Sequence, residues 1–304
     1  SEASASFTPL AEVISGLFST HLYTGNSSTR TITNNINLSG KGGLVWIKDR
    51  DSGSNSNILY DTERGAYKAL ISNLTNAEST RSTGLTGFTS SGFTLGSLGA
   101  ENGSSNDKVS WTFRKQPKFF DVVTYTGNGT AGRTISHNLG SVPGMIIIKC
   151  TNQSENWLVY HRGSNSSPED YYLELNSTGA ASSGSYWDNT LPTSTEFTIG
   201  GNSGPINQTT GTYVAYLFAH NNNDAELEWS TSDAEVTSSD RLDPTATGFS
   251  STLANGSSGN THIYMAIRRG GMRTPTAASD VFAIDNQTAS SAPFLTSNFP
   301  VDMV

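Results

Sequence analysis

The chain repeats itself at an interval of about a hundred residues, and that interval limits what it can fold into. Tyr23-Thr24-Gly25-Asn26 returns as Tyr125-Thr126-Gly127-Asn128. The apolar run Leu44-Val45-Trp46-Ile47-Lys48 returns as Met145-Ile146-Ile147-Ile148-Lys149, Leu70-Ile71-Ser72-Asn73 as Leu173-Glu174-Leu175-Asn176, and Phe93-Thr94-Leu95-Gly96 as Phe197-Thr198-Ile199-Gly200. Each copy closes on an apolar run, Val109-Ser110-Trp111-Thr112-Phe113 and then Val214-Ala215-Tyr216-Leu217-Phe218. A solenoid unit is shorter and needs its neighbours to complete a core. A stretch of this length is the size of a self-sufficient domain. Tandem domains of one kind build elongated, multivalent objects more often than compact active sites.

Within each copy, short runs rich in Val, Ile, Thr, Tyr and Phe are bounded by Gly, Asn and Ser clusters, the pattern of β-strands and their turns. Strands are expected at Thr31–Thr33, Leu44–Lys48, Asn57–Tyr60, Phe93–Leu95 and Lys108–Phe113 in the first copy. In the second they are expected at Thr193–Ile199 and Thr212–Phe218. Glu63–Ser72 could form a helical turn, but its counterpart Tyr171–Leu175 alternates, which favours strand in both. Residues 1–20 differ. Phe7, Leu10, Ala11, Ile14, Leu17 and Phe18 recur at helical spacing, with Thr8 able to cap and Pro9 suited to a first turn. The reading is an all-β chain of tandem β-sandwiches, jelly-roll or lectin-like, in a fibre-like arrangement behind a short N-terminal helical segment. Its divisions are 1–20, an anchoring or oligomerising segment; 21–118 and 119–220, the two repeats; 221–274, an abbreviated repeat; and 275–304, the start of a further β domain. Val301–Val304 would then stop in mid-strand, calling for more chain or a neighbour.

Composition excludes several classes. A net charge of −8 offers no basic surface for nucleic acid. No apolar stretch approaches the ~18 residues needed to span a bilayer. Cys150 is the one cysteine, so neither an intrachain disulfide nor a thiolate zinc site can form. Asn26, Asn73, Asn128, Asn176 and Asn255 open Asn-x-Ser/Thr triplets, which a chain this rich in Asn, Ser and Thr produces by chance.

The residues that could carry chemistry do not assemble into a recognisable set. Asp61 and Glu63, or Glu169 and Asp170, are carboxylate pairs of the kind a glycosidase needs. The first pair has no acidic counterpart in Tyr160-His161-Arg162-Gly163, where only an Arg-Gly pair survives, so a structural arginine is the better reading. Asp49-Arg50-Asp51-Ser52-Gly53-Ser54-Asn55 spaces its oxygens as calcium loops do but lacks the later bidentate acid, and a hairpin loop is preferred. His21, His137, His161, His220 and His262 are scattered. No catalytic residue, metal or cofactor is expected, and the chain is read as not an enzyme. Tyr186 and Trp187, flanked by Ser and Gly, suggest exposed rings, and together with Trp157 they are the candidate glycan contacts.

Several segments resemble a family of long, repetitive marine bacteriophage proteins, tail fibres or virion structural proteins. They are Phe119–Gly129, Ile135–Lys149 and Ala215–His220, with Gly43–Lys48, Leu59–Gly65, Ile263–Arg269 and Phe299–Val304. The resemblance covers nearly all the chain after residue 18 and carries no catalytic residues. It implies a virion protein made in the bacterial host cytoplasm, linking the particle to host recognition. A lectin-like adhesin binding host surface polysaccharide, or a head fibre or decoration protein, is the alternative. The apolar stripe of Phe7, Leu10, Ile14, Leu17 and Phe18 is expected to make the chain a homo-oligomer and to join it to other virion proteins, and analogy with the family makes that oligomer a trimer.

Overall fold

The computed structural model describes residues 16–220 and, after them, six strands between 242 and 303. The described residues form an all-β fold, with helix confined to single turns such as α1 (Leu38–Lys41) and α2 (Gly99–Asn102). The first copy contributes β1 (Phe18–Thr24), β2 (Arg30–Thr33), β3 (Gly43–Asp49), β4 (Ile58–Asp61), β5 (Lys68–Ile71), β6 (Ser79–Thr80), β7 (Leu85–Thr89), β8 (Gly92–Leu95) and β9 (Asp107–Arg114). The second contributes β10 (Phe120–Thr126), β11 (Arg133–Ser136), β12 (Pro143–Cys150), β13 (Leu158–His161), β14 (Tyr171–Glu174), β15 (Ser182–Ser183), β16 (Glu196–Ile199) and β17 (Thr212–Ala219). The large sheets run β1-β9-β3-β4-β5-β6 and β10-β17-β12-β13-β14-β15, the same order twice. Each copy adds a small sheet, β2-β8-β7 in the first and β11-β16 in the second.

β3 is buried along its whole length, which an antiparallel strand achieves only when both faces of its sheet are covered. One face meets the copy's own small sheet. Val45, Ile47, Ile58, Tyr60 and Ala69 share a core with Ile32, Leu85, Phe93 and Leu95. The other face meets the second copy. Leu44, Trp46, Leu59, Leu70, Phe18 and Phe113 share a core with Phe120, Ile147, Trp157, Tyr216 and Phe218. Phe113 lies at the centre, 5.5 Å from the rings of both Phe120 and Phe218.

Phe113 and Phe218 hold equivalent positions. Phe113 stands opposite Phe18 and Leu44, and Phe218 stands opposite Phe120 and Met145. Like faces like, so the two large sheets meet across a local quasi-twofold.

The repeated motif residues make repeated bonds. The Tyr23 hydroxyl donates to the Glu101 carbonyl at 2.7 Å, and that of Tyr125 to the Ile206 carbonyl at 2.8 Å. Arg30 lies 5.6 Å over the Tyr23 ring and Arg133 lies 5.7 Å over that of Tyr125. A Cβ at Gly25 would collide with the Gly103 carbonyl oxygen, and one at Gly127 would collide with that of Gln208. Both glycines are therefore required by close backbone approach. The buried Asn102 amide donates to Ser28 and Gly96 carbonyls, both at 2.7 Å, and accepts from the Asn26 N–H at 3.1 Å. Asn207 does the same with Thr130, Gly200 and Asn128 at 2.9, 2.6 and 3.0 Å. Asn73 and Asn176 likewise accept from the N–H of Asn57 and of Trp157.

The remaining strands are β18 (Leu242–Thr245), β19 (Gly248–Ser251), β20 (Thr261–Arg268), β21 (Phe282–Thr288), β22 (Phe294–Thr296) and β23 (Val301–Met303). Their sheets run β18-β19-β22 and β21-β20-β23. These orders reproduce β7-β8-β2 and β1-β9-β3 with the connectivity permuted: the closing strand β20 comes before the opening strand β21 in the chain. The registers agree. Thr245 opposes Gly248 as Thr89 opposes Gly92, and Gly248 opposes Thr296 as Gly92 opposes Thr33. The two-step slip where Val301 and Met303 meet Arg268 and Ile267 matches that of Pro143 and Met145 on Ala219 and Phe218.

Three expectations change. Phe18 opens β1 instead of closing a helix, because its ring fills the space beside Phe113 at 4.9 Å, and Leu17 is buried in the same core. Phe7, Leu10 and Ile14 lie outside the described residues. Strands on both sides of residue 274 share both late sheets, and Val301–Met303 pairs with β20 rather than ending without a neighbour. Glu63–Ser72 yields one strand, β5, from Lys68 onward.

Asn102→Ala should lower unfolding stability by about 2–3 kcal/mol, because buried carbonyls lose their donor. Asn207→Ala should act alike, and urea titration of both variants measures it. Equal small losses within about 0.5 kcal/mol of wild type would contradict the assigned role.

Candidate functional site

The densest polar cluster sits where the copies meet. β4 ends on Asp61, which is fully buried, and the turn that follows brings Arg64 back over it. Arg64 donates from its backbone N to Asp61 Oδ1 at 2.9 Å and from Nε to Oδ2 at 2.6 Å. Its other nitrogens reach Glu78 Oε2 at 3.1 Å, the Lys68 carbonyl at 2.9 Å, and the Tyr216 hydroxyl of the second copy at 3.3 Å. Tyr216 in turn donates to Asp61 Oδ2 at 2.7 Å. Burial pushes the Tyr216 phenol well above its ordinary pKa, so it remains a donor. Burial opposes the charge of Arg64, but Tyr216, Asp61 and Glu78 outweigh that and raise its pKa.

Neighbouring bonds continue this seam. Trp157 donates its indole N–H to the carbonyls of Ile71 and Leu74, each at 3.0 Å. The Glu78 N–H donates to the Thr151 carbonyl at 2.7 Å, and the Glu155 N–H to that of Thr75 at 2.9 Å. Lys149 Nζ reaches the carbonyls of Thr75 at 2.9 Å and Glu155 at 2.7 Å, and burial draws its pKa down to about 8. Lys48, its counterpart, holds Ser52 and Asn55 carbonyls in its own loop.

Asp61 and Glu63 therefore do not flank a groove as a catalytic pair. Asp61 is held under Arg64 and Tyr216, while Glu63 pairs with Lys115 at 2.7 Å. Asp49 is not arranged as a cation ligand either. Its Oδ1 accepts from Asp51 and Ser52 N–H groups at 3.0 and 3.1 Å, and its Oδ2 from Asn55 at 2.6 Å, Asn106 at 3.1 Å and the buried Lys108 ammonium. Although burial works to raise its pKa, those donors outweigh it and the pKa is lowered. The second copy puts buried Cys150 at this place, its thiol 3.4 Å from Asn152 Oδ1. Among the described residues no group of three or more His, Cys, Asp or Glu could hold a metal ion, and no helix is long and apolar enough to cross a membrane. Glu169 and Asp170 lie in a short 3-10 turn.

Two of the three aromatic candidates are core residues. Trp157 is 0 % exposed and Trp187 is 2 % exposed, the latter donating its N–H to the Tyr171 carbonyl at 2.8 Å. Neither offers a ring face to a sugar. Tyr186 is half-buried, edge-on to Tyr172 at 4.7 Å.

The sequence points to a structural role for Arg64 without naming its acid, and gives no sign of Tyr216, whose apolar surroundings in β17 read only as strand.

Arg64→Ala should destabilise the chain by about 3–5 kcal/mol by leaving Asp61 buried and uncompensated. Tyr216→Phe should cost about 1–2 kcal/mol, and the two losses should be non-additive in a double-mutant cycle. Acid should act through His161, which is buried, accepts at Nδ1 from the Gly163 N–H at 2.9 Å, and is pushed down to about 3 by burial, Arg162 and His220. The unfolded histidine titrates near 6.5, so the stability is present above that pH and is lost as pH falls towards 3, by about 1.4 kcal/mol per unit. Unfolding by urea at stepped pH measures the slope, and His161→Gln should flatten it.

No curated protein and no solved structure matches the chain. One family does, over residues 14–223, a span that takes in both copies and their shared core. The chain belongs to the family defined by this domain of unknown function, DUF7483.

Proposed function

We propose that the chain is a structural protein of a bacteriophage particle, a tail fibre or tail-associated component that links the particle to host recognition. One observation carries this reading. The residues that recur between copies, Tyr23/Tyr125, Gly25/Gly127, Arg30/Arg133 and Asn102/Asn207, all hold turns and strands together, and none forms a repeated set of acids, histidines or thiols. Repetition has kept a scaffold. The resemblance to repetitive phage proteins supplies the particle.

In this reading each copy is a β-sandwich of one large and one small sheet, the copies stand in a fibre-like series, and the N-terminal segment contacts other virion proteins. Direct glycan binding is the second function considered. It now rests on Tyr186 beside Tyr172, since Trp157 and Trp187 are enclosed.

Immunogold labelling and peptide mass spectrometry of purified particles test the proposal. The chain should be a stoichiometric component at the tail. Its absence from particles, with the protein abundant in the lysate, would overturn the reading. Saturable binding of the purified chain to host polysaccharide would favour the adhesin, and release of reducing sugar would favour an enzyme.

A further inference from the structure

At the end of the pairing between β3 and β9, Asp49 stands opposite Lys108. Both side chains are 0 % exposed, and the Lys108 ammonium is in hydrogen-bond contact with Asp49 Oδ2. The second copy serves as an internal control. There Cys150 stands opposite Tyr213 in the equivalent place, and β12 and β17 pair all the same. The fold therefore does not need two charges at this position, and burying them is costly. The surroundings of the carboxylate are those that acyl transfer uses. Oδ1 accepts from two backbone N–H groups, of Asp51 at 3.0 Å and Ser52 at 3.1 Å, so dipoles are already aimed at any negative charge that grows there. Oδ2 takes the Asn55 and Asn106 amides and the ammonium, which places it beside the proton source. Lys108 also donates to the Gly99 carbonyl of α2 at 3.1 Å. Two residues on, Glu101 is fully buried. Its Oε1 is held by Tyr60 and Arg81, and its Oε2 has no hydrogen-bond partner among the described residues.

We propose that Lys108 and Asp49 condense to an amide within the folded chain, so that β3 and β9 become covalently joined through their side chains. The ammonium hands one proton to Oδ2, the freed amine lone pair attacks Cγ, and the oxyanion on Oδ1 rests on the Asp51 and Ser52 N–H groups. A second proton passes from the nitrogen by way of Glu101 to Oδ2. The Cγ–Oδ2 bond then breaks and water leaves with both protons, while the amide nitrogen keeps the third. No oxidant or other co-reactant is needed. Between separate molecules in water such a condensation is unfavourable, but effective molarities of about 10⁵–10⁸ M for oriented groups reverse that balance. The product is uncharged, which removes the cost of the buried pair. It closes the chain between residues 49 and 108 and ties β9, the strand of Phe113, to β3.

The intact mass of the purified full chain tests this. It should fall short of the sequence mass by one water, and digestion should yield a branched peptide in which Lys108 is joined to Asp49. Lys108→Arg should restore the full mass. Asp49→Asn should lose ammonia in place of water, because the carboxamide offers the same Cγ with a different leaving group. Glu101→Gln should slow the linkage by at least about a hundredfold, seen as folded, unlinked chain after expression. A folded wild type of full sequence mass overturns the proposal. A deficit of one water without the branched peptide also overturns it, because the water has then been lost elsewhere. Should the variants fail to fold, the wild-type mass and the branched peptide decide alone.

Discussion

A β-sheet that is apolar on both faces can leave neither in water, and that condition governs residues 16–220. β3 carries Leu44 and Trp46 on one side and Val45 and Ile47 on the other, all buried. A small sheet supplied by the same copy covers one side. Only a second large sheet is broad enough for the other. Fully burying a side chain of this size contributes about 1.5–3 kcal/mol, so the shared core joins the copies far more firmly than a flexible linker would. The short connection from Arg114 to Lys118 is consistent with that, because Lys115 ties Glu63 of the first copy to Asp121 of the second.

The polar residues are secondary to this packing but decide its details. Buried carbonyls at the ends of the strands need donors, and the repeated asparagines and lysines provide them. At the positions that follow β3 and β12 the two copies solve one problem differently. Asp49 with Lys108 forms an internal ion pair, while Cys150 with Tyr213 leaves the second copy without a charge there.

Much of this was legible from sequence. β3, β8, β9, β12 and β17 announce themselves as apolar runs between turn residues, and the repeat predicts that the two copies share strand order. β1 was obscured because Phe18 falls at helical spacing from Ile14 as well as beginning an alternating strand. The meeting of the copies could not be read, since Leu44, Trp46 and their neighbours form one continuous apolar run that does not say which residue faces what. Trp187 shows a related ambiguity: Ser and Gly near an aromatic suggest exposure, but small neighbours also let a large ring fold into a core, and Trp157 is enclosed as well. Arg64 reads as a structural arginine, while Tyr216 lies 155 residues from Asp61 and no local pattern joins them.

The Arg64 cluster also gives the chain a sense of direction. Two copies packed by equivalent faces could in principle exchange places, as the halves of a symmetric pair do. Arg64 and Asp61 in the first copy meet Tyr216 in the second, whereas His161 in the second copy corresponds to Asp61 and Trp111 in the first corresponds to Tyr216. The mirrored bond has no carboxylate and no phenol to form it. Each copy has thus become a left or a right hand, and the order in which they are written along the chain is part of the fold.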